Sequence, residues 1–195
     1  MEQLVEKHPF EPWLPADARL LMCGTFPPAP ARWSMDFYYP NYINDMWRVF
    51  GLLTHGDKLY FVDEEHKTFR LDAIKEMLTE LGIALSDTGR EAVRLKGNAS
   101  DKYLQIEKPI DLTAMMAKLP ACEAIATTGE KAAQVIAGLT GTPVPKTGEW
   151  EAIRVPGVPH VLTHWRMPST SRAFPMSVEK KAEFYRCMLH SLEIL

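Results

Sequence analysis

The chain has few cysteines, no long apolar run and no excess of positive charge, and each shortage excludes a class of protein. Its three cysteines, Cys23, Cys122 and Cys187, lie far apart, so they form neither a CxxC pair nor a zinc-ligand spacing. We expect them to be small buried hydrophobic residues in a reducing compartment. No segment approaches the apolar length that a membrane-spanning helix needs, so no membrane partner is expected.

The charge balance does not predict a strongly cationic nucleic-acid binder. The chain has 22 Lys and Arg against 25 Asp and Glu, a net charge of −3, whereas non-specific DNA affinity comes mainly from basic residues that neutralise phosphates. A local basic patch at Arg166, Arg172, Lys180 and Lys181 is one possibility, and a solvated face is the alternative for the two lysines. The acidic N-terminal residues lack an apolar core, which predicts no signal peptide and a cytoplasmic location.

The order of apolar patterns predicts an α/β fold. With 195 residues the chain is expected to form a single domain, in which residues 1–17, with three prolines, form an irregular N-terminal arm. Short apolar runs alternate with helical patterns, which favours a three-layer α/β/α sandwich with a mainly parallel central sheet. We predict strands over 19–23, 83–86, 123–127, 150–155 and 158–163, helices over 41–53, 71–81, 111–119, 130–139 and 177–192, and a long loop over 89–110.

Three short segments contain most of the chemical information. They are residues 24–28 (GTFPP), 38–47 (YYPNYINDMW) and 167–172 (MPSTSR). The first and last each follow an apolar run and are rich in Gly, Pro and hydroxyl residues. This composition is typical of loops at the ends of buried strands, where α/β folds commonly build ligand sites.

Taken together, the three segments resemble the uracil-DNA glycosylase superfamily, and especially its hypoxanthine-type and mismatch-type branches. The resemblance implies a DNA glycosylase of base-excision repair that hydrolyses the N-glycosidic bond of a flipped deaminated base, uracil or hypoxanthine. It implies a monomer that needs no metal and no cofactor, with DNA containing a damaged or mismatched base as its partner. Such an enzyme extrudes its target base into a pocket.

The resemblance places a base pocket around the first segment. Glycine at position 24 would let the backbone approach the base closely, whereas Phe26 stands where many members have an Asp or Asn that handles water. Asp87 resembles the base-reading position, which is Asn in uracil enzymes; an ionised Asp only accepts hydrogen bonds, and a turn residue is the alternative interpretation. The predicted pocket residues are Gly24, Thr25, Phe26, Pro27, Tyr39 and Asp87.

Asn44 is the predicted catalytic residue. The resemblance to the hypoxanthine-type branch implicates an asparagine three positions before the aromatic residue Trp47. An amide is a weak base, so its expected role is to orient water and to stabilise the departing base by hydrogen bonds. The alternative interpretation is that Asn41 or Asn44 caps the following helix.

The remaining predicted site residues would hold DNA. The third segment resembles the Pro-Ser loop of the superfamily, in which hydroxyls and backbone N–H groups hold phosphates, and a helix N-terminus after strand 123–127 could bind another phosphate. Met167 stands where uracil enzymes often have a catalytic histidine, and His164, three residues upstream, is expected to be structural. The predicted DNA-binding residues are Thr128, Gly129, Ser169, Thr170, Ser171 and Arg172.

Two other functions remain open at this level. Because Phe26 and Met167 replace usual catalytic residues, the chain could be a catalytically inactive glycosylase-fold protein that binds modified nucleic acid. A third possibility is an enzyme that acts on a free nucleoside, which the acidic net charge favours slightly.

Overall fold

The computed structural model describes residues 4–95 and 101–195. Its strands are β1 (Val5–Lys7), β2 (Leu20–Gly24), β3 (Val62–Asp63), β4 (Thr68–Phe69), β5 (Ile83–Asp87), β6 (Gly89–Arg94), β7 (Leu104–Pro109), β8 (Ala124–Thr128), β9 (Trp150–Ile153) and β10 (Leu162–Met167). Its helices are α1 (Met46–His55), α2 (Leu71–Glu80), α3 (Leu112–Ala117), α4 (Glu130–Thr140) and α5 (Val178–Ser191). Among these described residues no helix is long and apolar enough to cross a membrane.

The central sheet has five strands in the order β5-β2-β8-β10-β9. The first four are parallel, and only the edge strand β9 is antiparallel to its neighbour β10. Gly24 lies opposite Asp87 and Met167 lies opposite Thr128, so the carboxyl ends of all four parallel strands meet at one edge. The predicted α/β fold with a mainly parallel sheet is confirmed.

The two faces of this sheet are covered by different helices, which gives three layers. Leu20 and Met22 of β2 pack into a core formed with α1, α2 and α5. Leu21 and Cys23 alternate with them and pack against residues of α3 and α4. Period-two alternation along a strand sends neighbouring side chains to opposite faces, and because both faces are buried, β2 is apolar at every position before Gly24.

Helix α1 begins at Met46, five residues later than predicted. The Asn41 side chain accepts a hydrogen bond from the Ile43 N–H, and the Asn44 side chain accepts one from the Met46 N–H. Asparagine side chains that bond backbone two residues ahead favour turns over helix. The segment before α1 is therefore a loop that reaches the carboxyl edge of the sheet.

Residues 89–110 are not the single long loop that the sequence predicted. They contain β6 and β7, which form an antiparallel pair. Strand β1 pairs with β6, and the three strands form a sheet separate from the central one. Residues 96–100 lie outside the described part of the chain. The predicted irregular arm thus contributes a strand, and Trp13 bridges to Leu85 on the central sheet. These pairings are non-local, so the local composition of the arm did not predict them.

The remaining elements lie close to their predicted positions, except near the C-terminal strands. Side chains cap two of these helices: Asp111 Oδ1 accepts from the Ala114 N–H at the start of α3, and Ser177 Oγ accepts from the Lys180 N–H at the start of α5. The strand predicted over 158–163 was misplaced, because the strand in the structure, β10, begins at Leu162 and ends at Met167. Its register beside β8 places the third segment directly after the sheet edge.

Candidate active site

A cavity of about 140 Å³ opens at the carboxyl edge of the parallel strands. This size is close to the roughly 150 Å³ that holds one benzene ring in an engineered protein cavity. All three sequence segments contribute to its wall. The lining residues are Gly24, Thr25, Phe26, Pro27, Pro28, Tyr39, Pro40, Asn41, Asn44, Asp87, Thr128, Ser169, Thr170 and Ser171.

The floor of the cavity depends on the absence of a side chain at Gly24. A Cβ there would lie 2.6 Å from Asp87 Oδ1 and 3.4 Å from Tyr39 Oη, so only glycine leaves the carboxylate in place. Tyr39 Oη and Thr128 Oγ1 are 3.1 Å apart and share a hydrogen bond. Burial, with a smaller contribution from the charge of Asp87, raises the pKa of the Tyr39 phenol well above its usual value. Tyr39 therefore remains a neutral hydroxyl.

Asp87 is paired with a residue that sequence reasoning missed. His8 Nε2 donates to Asp87 Oδ2 over 2.7 Å, and the His8 side chain is completely buried. The His8 ring also meets the edge of Phe26, with ring centroids 5.3 Å apart. His8 follows β1, and the His8 N–H donates to Arg90 O, so the pairing of the arm with β6 brings the imidazole to the cavity.

Asn44 lines the cavity and is held by a backbone hydrogen bond just before α1. Its Oδ1 accepts from the Met46 N–H at 2.9 Å, a turn contact just before α1. The same residue lines the cavity, and its amide nitrogen has no hydrogen-bond partner within residues 4–95 and 101–195. The carbonyl is thus fixed by the backbone, which leaves the NH₂ group available to a ligand.

A buried ion network holds the third segment against the start of α1. Asp45, next to Asn44, accepts from Lys181 Nζ at 2.9 Å and from Arg172 Nε at 3.1 Å. Lys181 Nζ also donates to Ser171 O, and the Asp45 N–H donates to Thr170 O. Lys181 is fully buried, so neither its place in a surface basic patch nor the solvated-face alternative is correct; it stabilises the site from within.

The predicted DNA-binding residues differ in their access to solvent. Ser171 and Arg172 are exposed and Ser169 is half-buried, whereas Thr128 and Thr170 are buried in the cavity wall. Gly129 has φ +101°, a backbone conformation that side chains disfavour, and it is the residue immediately before α4, beside Ser169. Glu130 is exposed at this helix start, 3.9 Å from Arg166, so a phosphate there would meet a carboxylate.

His164 is not among the cavity residues. It is buried on β10, where Nε2 lies 2.9 Å from Thr127 Oγ1. Burial lowers the pKa of His164 to about 4. The imidazole is therefore neutral at physiological pH and packs inside the domain.

The arrangement defines an α/β sandwich with a small pocket at the carboxyl edge of its parallel strands, and comparison with solved structures finds the same fold. The chain resembles the solution NMR structure of a proposed uracil DNA glycosylase from Methanosarcina acetivorans. The TM-score is 0.61 over 97% of this chain and 99% of that one, with 21% sequence identity. At this identity the likeness establishes the fold alone. No protein-family model matches the chain, and no curated protein matches it.

Proposed function

We propose that this chain is a DNA glycosylase that hydrolyses the N-glycosidic bond of a flipped deaminated base, uracil or hypoxanthine. The observation that carries the proposal is the cavity itself. Three separate segments converge on one small cavity, with the carboxamide of Asn44 in its wall. The fold shared with a proposed uracil DNA glycosylase supports the same function.

The polar groups of the cavity suit bond cleavage at a base. When the glycosidic bond breaks, the departing base gains negative charge, and hydrogen-bond donors aimed at that charge lower the barrier. The NH₂ group of Asn44 is such a donor, because its carbonyl is already bonded to the Met46 N–H. Phe26 lines the cavity as an apolar ring, so it can contact the face of a base but cannot activate water.

The mouth of the cavity offers groups for the DNA backbone. Ser171 and Arg172 are exposed beside it, and Asp45 ties the Arg172 guanidinium to the start of α1. Hydroxyl, backbone N–H and guanidinium groups are the usual partners of phosphate oxygens. Because the net charge is −3, we expect DNA affinity to depend on this local surface and to fall steeply with salt.

The test is base release from defined oligonucleotides that contain uracil or hypoxanthine, measured as alkali-labile sites in single strands, pairs and mismatches. Asn44→Ala should lower the rate by about 10²-fold or more if the amide contacts the transition state. Asn44→Ser is the matched control for folding, since a serine hydroxyl can still accept from the Met46 N–H. Asn44→Ser should have the same unfolding midpoint as wild type, and its rate of base release should be as low as that of Asn44→Ala.

A second candidate is a glycosylase-fold protein that binds modified nucleic acid without cleaving it. Phe26 and Met167 favour it, because neither side chain can supply the acid-base chemistry of an Asp or a His. This candidate predicts salt-sensitive preference for a lesion duplex without base release. Equal affinity for damaged and undamaged DNA would reject it.

A further inference from the structure

We propose that Arg48 is a positioning residue for base release, which holds the backbone of Asn44 so that its carboxamide stays in the cavity wall. The inference rests on the proposed function, because it concerns how the amide of that site is kept in place. Arg48 lies in the first turn of α1 and is only 9% exposed. We therefore expect it to act through its neighbours and not by touching the base.

One guanidinium nitrogen closes the loop that carries Asn44. Arg48 Nη1 donates to Tyr42 O at 2.8 Å and to Asn44 O at 2.9 Å. The backbone bonds of α1 begin one residue later, with the bond from the Val49 N–H to Asp45 O. In an α-helix the Asn44 carbonyl would accept from the Arg48 N–H, four residues ahead. The Arg48 side chain takes that carbonyl instead, which keeps Asn44 in the loop.

The peptide group between Asn44 and Asp45 is held at both ends. Its carbonyl accepts from Arg48 Nη1, and its N–H donates to Thr170 O at 2.9 Å. On the other side, the Asn44 N–H donates to Asn41 O. Because each peptide group is planar, these bonds limit the rotation of the backbone on both sides of Asn44 and so fix the direction of its side chain.

The guanidinium is itself held by two aromatic rings. Arg48 Cζ lies 5.1 Å from the centre of the Tyr42 ring and 5.6 Å from that of Phe69, within the range of about 6 Å in which cation–π attraction acts. Phe69 is buried and belongs to β4. The β3–β4 hairpin, which lies outside the central sheet, is thus connected to Asn44 through one side chain.

The proposed role has a defined size. A hydrogen-bond donor lowers the barrier only where its geometry matches the transition state, and a misplacement of about 1 Å can cost about 10²-fold in rate. Loss of Arg48 leaves the bond from the Met46 N–H to Asn44 Oδ1 in place. We therefore expect a smaller loss of rate than removal of the Asn44 amide causes.

The kinetic test is Arg48→Met, which keeps an unbranched chain between the rings and removes the donors. On oligonucleotides that contain uracil or hypoxanthine, kcat should fall about tenfold or more, whereas KM should change by less than about twofold. In an Asn44→Ala background, Arg48→Met should have no further effect on kcat. A residue that acts only through Asn44 loses its influence once the amide is gone.

Arg19→Met is the matched control. The Arg19 guanidinium also donates to two backbone carbonyls, Leu192 O at 3.0 Å and Glu193 O at 3.3 Å. Arg19 directly precedes β2, so it lies at the edge of the sheet opposite the cavity. This variant should lose stability as Arg48→Met does, and its kcat should equal that of wild type at a temperature where both are folded.

A second measurement does not depend on base release. The order parameter of the Asn44 side-chain amide, from ¹⁵N relaxation, should be high in wild type and in Arg19→Met and clearly lower in Arg48→Met. Tyr42→Leu removes one of the two rings and keeps the Tyr42 carbonyl, so it should lower the order parameter by an intermediate amount. If Arg48→Met does not fold, Tyr42→Leu takes its place in both measurements.

The outcomes separate this inference from the proposed function. An equal fall of kcat in the wild-type and Asn44→Ala backgrounds would show that Arg48 does not act through Asn44. A raised KM at unchanged kcat would make Arg48 a DNA contact, which also overturns the inference. If wild type releases no base, the proposed function fails and the order parameter alone decides: a more mobile Asn44 amide in the variant supports the positioning role, and unchanged mobility overturns it.

Discussion

Replacing Lys181 by methionine should destabilise the domain far more than the same change at its neighbour. The side chains of Lys181 and Asp45 are 0% and 2% exposed, so the loss of the lysine leaves a buried carboxylate short of its main partner. Removal of one member of a buried ion pair costs about 3–5 kcal/mol. Arg172 still contacts Asp45 but is 54% exposed, so we expect about 3 kcal/mol for Lys181→Met.

Lys180→Met is the matched control. Lys180 pairs with Glu183 on the surface, where both side chains are more than half exposed, and such pairs contribute about 0–1 kcal/mol. Urea unfolding followed by circular dichroism should show a large fall in midpoint for the first variant and almost none for the second, with similar slopes. Adding Asp45→Asn to Lys181→Met should recover part of the loss, since the unpaired charge is then removed.

This comparison also tests how the site is held. Lys181 joins α5 to the third segment through Ser171 O and to the residue beside Asn44. Equal unfolding midpoints for the two lysine variants, or a Lys181→Met variant as stable as wild type, would refute the buried network.

Three further predictions follow from individual residues. Gly24→Ala should leave a folded protein with activity lower by about 10²-fold, because its Cβ would displace Asp87 Oδ1. Activity equal to wild type would contradict the claim that the cavity needs glycine at position 24. For His164, burial lowers the pKa to about 4 from an ordinary 6.5. As the pH falls, the His164 imidazole is therefore protonated in the unfolded chain before it is protonated in the folded protein. Stability should drop by about 3 kcal/mol in total between pH 6.5 and 4, and His164→Gln should flatten that slope in urea unfolding measured across this range. Asp111→Ala should cost about 1 kcal/mol through loss of the bond to the Ala114 N–H; an unchanged unfolding midpoint would contradict the cap.

The order of the central strands and their helices could be predicted from the sequence because these strands are buried on both faces. Such strands appear as short apolar runs, and β2 ends at Gly24, where the first segment begins. The parallel register then places Gly24, Asp87 and Thr128 at one edge, which is why segments far apart in sequence line a single cavity.

The parts that sequence reasoning missed all depend on long-range contacts. His8 reaches Asp87 only because β1 pairs with β6, and nothing in the composition of the arm indicates that pairing. Lys181 looks like its exposed neighbour Lys180, yet the helix turns it toward Asp45. A buried lysine is rarely predicted from sequence, because its partner lies in another element.

The most direct test of the account is base release from uracil-containing and hypoxanthine-containing oligonucleotides by wild type and Asn44→Ser. The account predicts alkali-labile sites with wild-type protein and a rate at least about 10²-fold lower for the variant, at unchanged unfolding midpoint. Release of base at equal rates by both proteins would contradict the role of Asn44. No release from any lesion, in any strand context, would contradict the proposed function.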